Sequence, residues 1–212
     1  LVNGDEIKVE LTGNAMQTVG THIARATRLT GAKAANYKLP ANATKEYTIA
    51  KAAGSVNAPT GKTGLRYTGQ AQELLETAAA TDFGNVEYKL GESGTWSTDM
   101  PKATNAGEYT IYYLSTGDKN HYETDGTDSI KVTIGRKQIA VPQSRGTEFT
   151  YNGNVQTYDV SRTAEYSVSN NTRTDAGSQT VSYELTDKAN TEWADGSDTS
   201  KTLTFTIERQ RI

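Results

Sequence analysis

Asn105-Ala106-Gly107-Glu108-Tyr109-Thr110-Ile111-Tyr112-Tyr113-Leu114 alternates with a period of two, which places Tyr109, Ile111 and Tyr113 on one face of a strand with a single core side. The Asn-Ala-Gly step before it is a turn signal, because Gly accepts a positive φ and Asn can hydrogen-bond its own backbone. Further along, Asp175-Ala176-Gly177-Ser178-Gln179-Thr180-Val181-Ser182-Tyr183-Glu184-Leu185 repeats the pattern, with Val181, Tyr183 and Leu185 on one face. A weaker copy, Val19-Gly20-Thr21-His22-Ile23-Ala24-Arg25-Ala26, comes earlier. Each copy runs on to an alternating strand that closes on Ile: Glu46-Tyr47-Thr48-Ile49, Lys131-Val132-Thr133-Ile134 and Thr204-Phe205-Thr206-Ile207. The Gly-to-Ile spacings are 29, 27 and 30 residues.

A second motif joins two of these copies. Leu65-Arg66-Tyr67-Thr68-Gly69-Gln70-Ala71-Gln72 matches Phe149-Thr150-Tyr151-Asn152-Gly153-Asn154-Val155-Gln156 at apolar-x-Tyr-x-Gly-x-x-Gln. Near-constant spacing at the end of each copy, with 14 extra residues between Tyr67 and Ala106, is how one fold with variable loops reads in sequence. Three units follow: 1–52, 53–137 and 138–212. The first lacks the opening strands and the Tyr-x-Gly signature, and reads as the C-terminal half of such a unit. The junctions Ala50-Lys51-Ala52 and Gly135-Arg136-Lys137 are short, so a last strand passes almost directly into the next first strand, which favours a semi-rigid series. The stretch from Gln70 to Ala80 has helix-favouring composition, but the matching stretch after Gln156 reads as strand, and strand and loop are expected there.

Composition agrees. The chain has 33 Thr and 12 Tyr, against seven Met, Phe and Trp together, so β-favouring types are abundant. A mean hydropathy of -0.67 with few large aliphatics excludes one thick core and points to several thin sandwiches. The fold class expected is all-β, as tandem sandwich domains arranged end to end. A net charge of -3 supplies no basic field for a phosphate backbone, so nucleic acid is not an expected partner. The apolar runs are too short to cross a bilayer, and the first residues lack the plan of a signal peptide; the expectation is a segment of a longer protein with no membrane partner. The absence of Cys excludes disulfides and thiolate metal sites and does not by itself assign a compartment.

The pattern of Tyr-x-Gly-x-x-Gln, a Glu-Tyr strand, the Gly/Ser/Trp hairpin 91–96, Asn/Asp-Ala-Gly, a Tyr-rich strand and a final Thr-Ile-x-Arg resembles the bacterial immunoglobulin-like repeats of large Firmicutes surface proteins. The first unit, with Gly4-Asp5, Thr12-Gly13, Val19-Gly20, Leu29-Thr30-Gly31-Ala32, Ala35-Asn36-Tyr37-Lys38-Leu39 and Tyr47-Thr48-Ile49, is similar to the related YDG/MBG-type repeats. The resemblance implies an extracellular, cell-wall-associated or secreted setting, as a stalk or adhesin segment whose partners are neighbouring repeats of the same chain.

The residues offer little chemistry. Only His22 and His121 could serve as imidazole bases; they lie in different units, and no G-x-S-x-G elbow occurs. Gly61-Lys62-Thr63 ends like a phosphate-binding loop, but the earlier Gly it requires falls on Val56. Two His without Cys do not make an ordinary zinc site. Asp125-Gly126-Thr127-Asp128 and Asp195-Gly196-Ser197-Asp198 recur in equivalent loops, and Asp125, Asp128, Asp195 and Asp198 are the candidate Ca²⁺ ligands. Ca²⁺ needs six to eight oxygens, and Asp-Gly is an ordinary turn pair, so no cofactor is expected. An intramolecular Lys-Asn isopeptide bond would need a buried neutral Lys, whereas the Lys residues here fall on polar phases or in loops.

Two functions remain. One is a non-catalytic spacer that projects a binding domain away from the cell wall. The other is a module that binds host glycan or matrix protein through an exposed aromatic platform, for which Trp96 with Tyr88 and Tyr122, or Trp193 with Tyr183, are the candidates. Such lone aromatics more commonly cap a thin core. Exposure of Trp96 and its neighbouring tyrosines as a patch separates the two.

Overall fold

The structure, a computed structural model, describes residues 1–2, 4–143, 148–158 and 163–212. It is all-β, and the only helical element among the described residues is one 3-10 turn, Ala34–Asn36. Its sheets fall in three stretches of chain. The first contains β1 (Lys8–Thr12), β2 (Gly20–Thr30) and β3 (Thr44–Ile49) as an antiparallel meander with β2 in the middle. The second contains β4 (Thr60–Gly61), β5 (Gln72–Glu73), β6 (Leu75–Thr77), β7 (Val86–Leu90), β8 (Lys102–Ala103), β9 (Gly107–Ser115) and β10 (Ser129–Ile134). The third contains β11 (Lys137–Ile139), β12 (Phe149–Thr150), β13 (Gln156–Thr157), β14 (Tyr166–Ser169), β15 (Thr172–Arg173), β16 (Gly177–Leu185), β17 (Thr191–Trp193) and β18 (Lys201–Glu208).

The same central arrangement occurs in each stretch. A long strand (β2, β9 or β16) lies between the strand before it and the closing strand, antiparallel to both: β1-β2-β3, β7-β9-β10 and β14-β16-β18. The long strand opens at Gly20, Gly107 or Gly177, with φ of 132°, 156° and 128°, a region open to Gly because it has no Cβ. Directly opposite each Gly sits the closing Ile: Gly20 pairs with Ile49, Gly107 with Ile134 and Gly177 with Ile207. The Gly-to-Ile spacings read from sequence are therefore cross-strand registers. At Gly177 space is a second constraint, since a Cβ there would come within 2.7 Å of the Arg173 guanidinium, which donates to the Asp175 and Ala176 carbonyls.

Two thin cores form. In the second stretch Tyr88, Ile111, Tyr113, Val132 and Ile134 on the three-stranded sheet pack against Leu74, Leu75, Ala79 and Ala103 from the layer of β4–β6 and β5–β8 pairs. This two-layer packing is consistent with a β-sandwich. Leu74 and Leu75 are both buried although adjacent, because the chain changes partners there: β5 pairs with β8, β6 pairs with β4, and Leu74 bonds across both, accepting from Lys62 N–H and donating to the Pro101 carbonyl. The helix-favouring composition of 70–80 thus yields to strand pairing, as the matching position predicts. The third stretch buries Tyr166, Val181, Tyr183, Leu185, Phe205 and Ile207 against Ile139, Tyr158 and Trp193. In the first stretch no described residue is buried: the face that holds Val181 and Tyr183 in β16 carries Ala24 and Ala26 in β2, too small to build a core.

Phe205 is fully buried and meets the rings of Phe149 at 4.9 Å and Tyr158 at 5.5 Å. Phe205→Ala is expected to cost about 3–5 kcal/mol in urea denaturation, from lost transfer energy and the cavity left behind. Tyr183 is also fully buried, its hydroxyl has no hydrogen-bond partner among the described residues, and burial first, then Tyr158 and Tyr166, pushes its pKa up to about 12. Tyr183→Phe removes that orphan group and is expected to raise stability by about 1 kcal/mol in the same assay.

Candidate functional site

The three aromatic residues of the expected platform lie apart in role. Tyr88 is 4% exposed, on the core face of β7 with Val86 and Leu90; its hydroxyl accepts the Ala79 N–H at 2.8 Å, and burial raises its pKa. It faces inward, so it is not part of an exposed platform. Trp96 is half-buried, and its ring lies against Gly126, where a Cβ would come within 2.8 Å of it. The Lys89 ammonium sits 5.0 Å from the Trp96 ring centroid and 4.9 Å from that of Tyr112, which covers part of both rings. Tyr122 is exposed, 5.9 Å from the Lys51 ammonium. The alternative pair, Trp193 and Tyr183, is fully buried, and Trp193 Nε1 donates to the Thr199 carbonyl at 2.8 Å.

The acidic loops are turns. Asp125 Oδ1 accepts from Thr127 N–H at 3.1 Å and Thr127 Oγ1 at 2.9 Å; Asp195 Oδ1 accepts from Ser197 N–H at 3.0 Å and Ser197 Oγ at 2.8 Å. Gly126 and Gly196 follow at φ of 67° and 82°, which closes an Asx turn. Asp195 also binds Lys201 Nζ at 2.5 Å, Asp198 pairs with Arg136 at 2.9 Å, and the Asp128 main-chain carbonyl accepts the Tyr113 N–H. The Asp125, Asp195 and Asp198 carboxylates are taken up by turns and cations, and among the described residues no group of three or more His, Cys, Asp or Glu side chains is placed to hold a metal ion. His22 Nε2 lies 2.6 Å from the Thr18 carbonyl; His121 stacks on Phe83 at 3.5 Å with its Nδ1 2.8 Å from Asp118 Oδ1. No Lys is buried among the described residues.

What the chain does build, twice, is a joint between successive stretches. At the first, Ala52 forms a parallel bridge with His121: Ala52 N–H donates to the Asn120 carbonyl and Tyr122 N–H to the Ala52 carbonyl, each at 2.9 Å. At the second, β11 runs parallel to β17, with Lys137 N–H donating to the Asn190 carbonyl and Ala194 N–H to the Ile139 carbonyl, each at 2.8 Å. Asn120 and Asn190 occupy the same place in Asp118-Lys119-Asn120 and Asp187-Lys188-Ala189-Asn190. Each turns its side-chain carbonyl onto the residue before the Gly that opens the preceding long strand. Asn120 Oδ1 accepts from Val19 N–H at 3.4 Å, and Asn190 Oδ1 accepts from Ala106 N–H at 2.8 Å.

Asn190 is 9% exposed, and its Nδ2 donates to Asp187 Oδ2 at 2.9 Å, which leaves only its oxygen to face Ala106. Arg66 Nη1 reaches across to Glu192 at 3.3 Å while donating to the Arg136 carbonyl at 2.8 Å, and Lys51 Nζ donates to the Asp118 carbonyl at 2.8 Å. Main-chain pairing seats the connecting segment on the later stretch, and the Asn side chain of that stretch bonds back to the turn of the earlier one. Neither Asn was among the residues singled out from sequence. The available signal was that each falls 13 residues after its Gly, Gly107 to Asn120 and Gly177 to Asn190.

Comparison of the chain with family models, with curated proteins and with solved structures finds no match.

Asp195 provides a pH test of its loop. The Lys201 ammonium, then the Ser197 hydroxyl and N–H, hold its carboxyl down to about 2. A depressed carboxyl stabilises the fold above its unfolded value, near ~4, and that contribution is lost as pH falls from there through the folded value. Asp195→Asn is expected to flatten the decline of the urea midpoint between about pH 4 and pH 2.

Proposed function

We propose that the chain is a non-catalytic spacer segment of a bacterial cell-surface protein, made of three immunoglobulin-like units in series, 1–52, 53–137 and 138–212. In this reading it holds a binding domain away from the cell wall. The observation that carries it is the joint: two junctions of different sequence use the same parallel first pairing and the same Asn-to-backbone bond. A spacer needs a fixed angle between units more than it needs a pocket, and two residues of connection, Ala50-Lys51 or Gly135-Arg136, leave little slack. The resemblance to surface-protein repeats supplies the setting, and the occupation of the acidic and His side chains by turns, cations and stacking argues for a role without catalysis.

The test is the angular spread between the second and third units. With spin labels on exposed Glu92 and Ser200, double electron–electron resonance is expected to give one narrow distance distribution in the parent chain and a broader one in Asn190→Ala. The same substitution removes the acceptor of the Ala106 N–H, and loss of about 1 kcal/mol is expected to speed exchange of that amide roughly fivefold. A broad distribution in the parent chain overturns the spacer reading.

A further inference from the structure

The partner half of the joint occurs a third time. Gly177 opens β16 as Gly20 opens β2 and Gly107 opens β9, and the residue before it, Ala176, corresponds to Val19 and Ala106. Those two N–H groups donate to Asn120 and Asn190, whereas the Ala176 N–H has no acceptor among the described residues. Beside it, Thr206-Ile207-Glu208-Arg209-Gln210-Arg211-Ile212 repeats Thr133-Ile134-Gly135-Arg136-Lys137-Gln138-Ile139, the sequence that closes one stretch and supplies β11 to the next.

The geometry of the two segments matches as far as Glu208: Gly135 accepts from Tyr67 N–H at 2.8 Å, and Glu208 accepts from Tyr151 N–H at 2.9 Å. Beyond it they differ. Ile139 is 4% exposed inside a core, and Arg136 is paired with Asp198 whereas Arg209 has no carboxylate partner among the described residues. Ala176, Gly177 and Ser178 with Arg209, Gln210 and Arg211 line an open groove. A guanidinium and a backbone N–H are thus set beside this groove as at the second joint, without the partners they have there among the described residues.

We infer that this face docks a further unit of the same build, one carrying an Asp-Lys turn that ends on Asn, with or without one intervening residue, and the Asp-Gly-x-Asp loop. The inference rests on the spacer reading and names the partner of that same chemistry. In the docked state the Asn side-chain carbonyl accepts the Ala176 N–H, residues 210–212 pair in parallel with the segment after that Asn, and Arg209 meets the second Asp of the acidic loop. Ile212 enters the core of the docked unit, as Ile139 does in the third stretch. The occupant is specified by the second joint, whose Thr-Ile-x-Arg-x-x-Ile segment this face repeats, and by the Asn-to-backbone bond that both joints share.

The experiment extends the full chain after Ile212 with a second copy of residues 140–212 and follows hydrogen exchange of individual amides by NMR. Expected are protection of Ala176 in the extended chain approaching that of Ala106, exchange of Ala176 at least fivefold faster in the unextended chain, and loss of the protection when the Asn190 of the added copy is changed to Ala. If that copy does not fold, an extension after Arg211 with residues 54–137, which carries Asn120, makes the same measurement. Ala106 protected and Ala176 unprotected beside a folded added unit overturns this inference and leaves the spacer reading standing; both unprotected overturns the spacer reading itself. Protection of Ala176 in the unextended chain that rises with concentration would assign the face to a second copy in trans, and also overturns the inference.

Discussion

The pairing of each long strand with its closing strand sets the position of everything else. Because Gly20, Gly107 and Gly177 stand opposite Ile49, Ile134 and Ile207, the closing strand always leaves its sheet beside the turn that precedes the Gly. Ile134 and Ile207 are buried at that point, so the register cannot slip by one residue without turning the whole alternating face outward. A fixed register fixes the exit, and the exit places the next residues against the turn. The Asn bond at each joint therefore depends on the Gly–Ile register upstream, which burial of Ile134 holds at the second joint and the strand ladder alone holds at the first.

The three stretches share that pairing and differ in what they bury. The third packs five aromatic rings with Ile139, Val181, Leu185 and Ile207 into one cluster, and the second relies on aliphatics and two tyrosines. In the first, the Ala24 and Ala26 face and the Arg28–Glu10 ion pair at 2.6 Å belong to a sheet that keeps the register and holds no buried residue. An exposed ion pair adds little to stability, so this sheet depends on its ladder and on what packs against it.

Much of this was legible in the residues. Period-two alternation and the Asn/Asp-Ala-Gly turns located the second and third long strands, a weaker copy of the pattern located the first, and the Gly-to-Ile distances proved to be registers, because turn chemistry and burial act over neighbours in sequence. The platform was harder to read. Trp96, Tyr88 and Tyr122 are alike in chemistry and lie in one unit, but alternation on β7 sends Tyr88 inward with Val86 and Leu90 and leaves Lys89 outside against Trp96. The acidic loops were easier, because the Asp-Gly pairs read as turns, and the bonds that Asp125 and Asp195 accept from Thr127 and Ser197 are those turns. The junctions were legible as short connections but the contacts across them were not, because parallel bridges such as Ala52 with His121 join segments far apart in sequence, and a single Asn carries no periodic signal.

The parallel pairing of the entering and leaving segments has a mechanical meaning. In the third stretch Phe149 and Thr150 run alongside Ile207 and Glu208, and in the second Arg66 runs alongside Gly135. Two neighbouring strands that point the same way, one near the start of a stretch and one at its end, are drawn past each other lengthwise when the chain is stretched. Their hydrogen bonds are then strained together in shear, whereas a hairpin pulled from its open end would release them one at a time. Tension along this chain meets such a shear clamp in each of its two cored stretches before either core is opened.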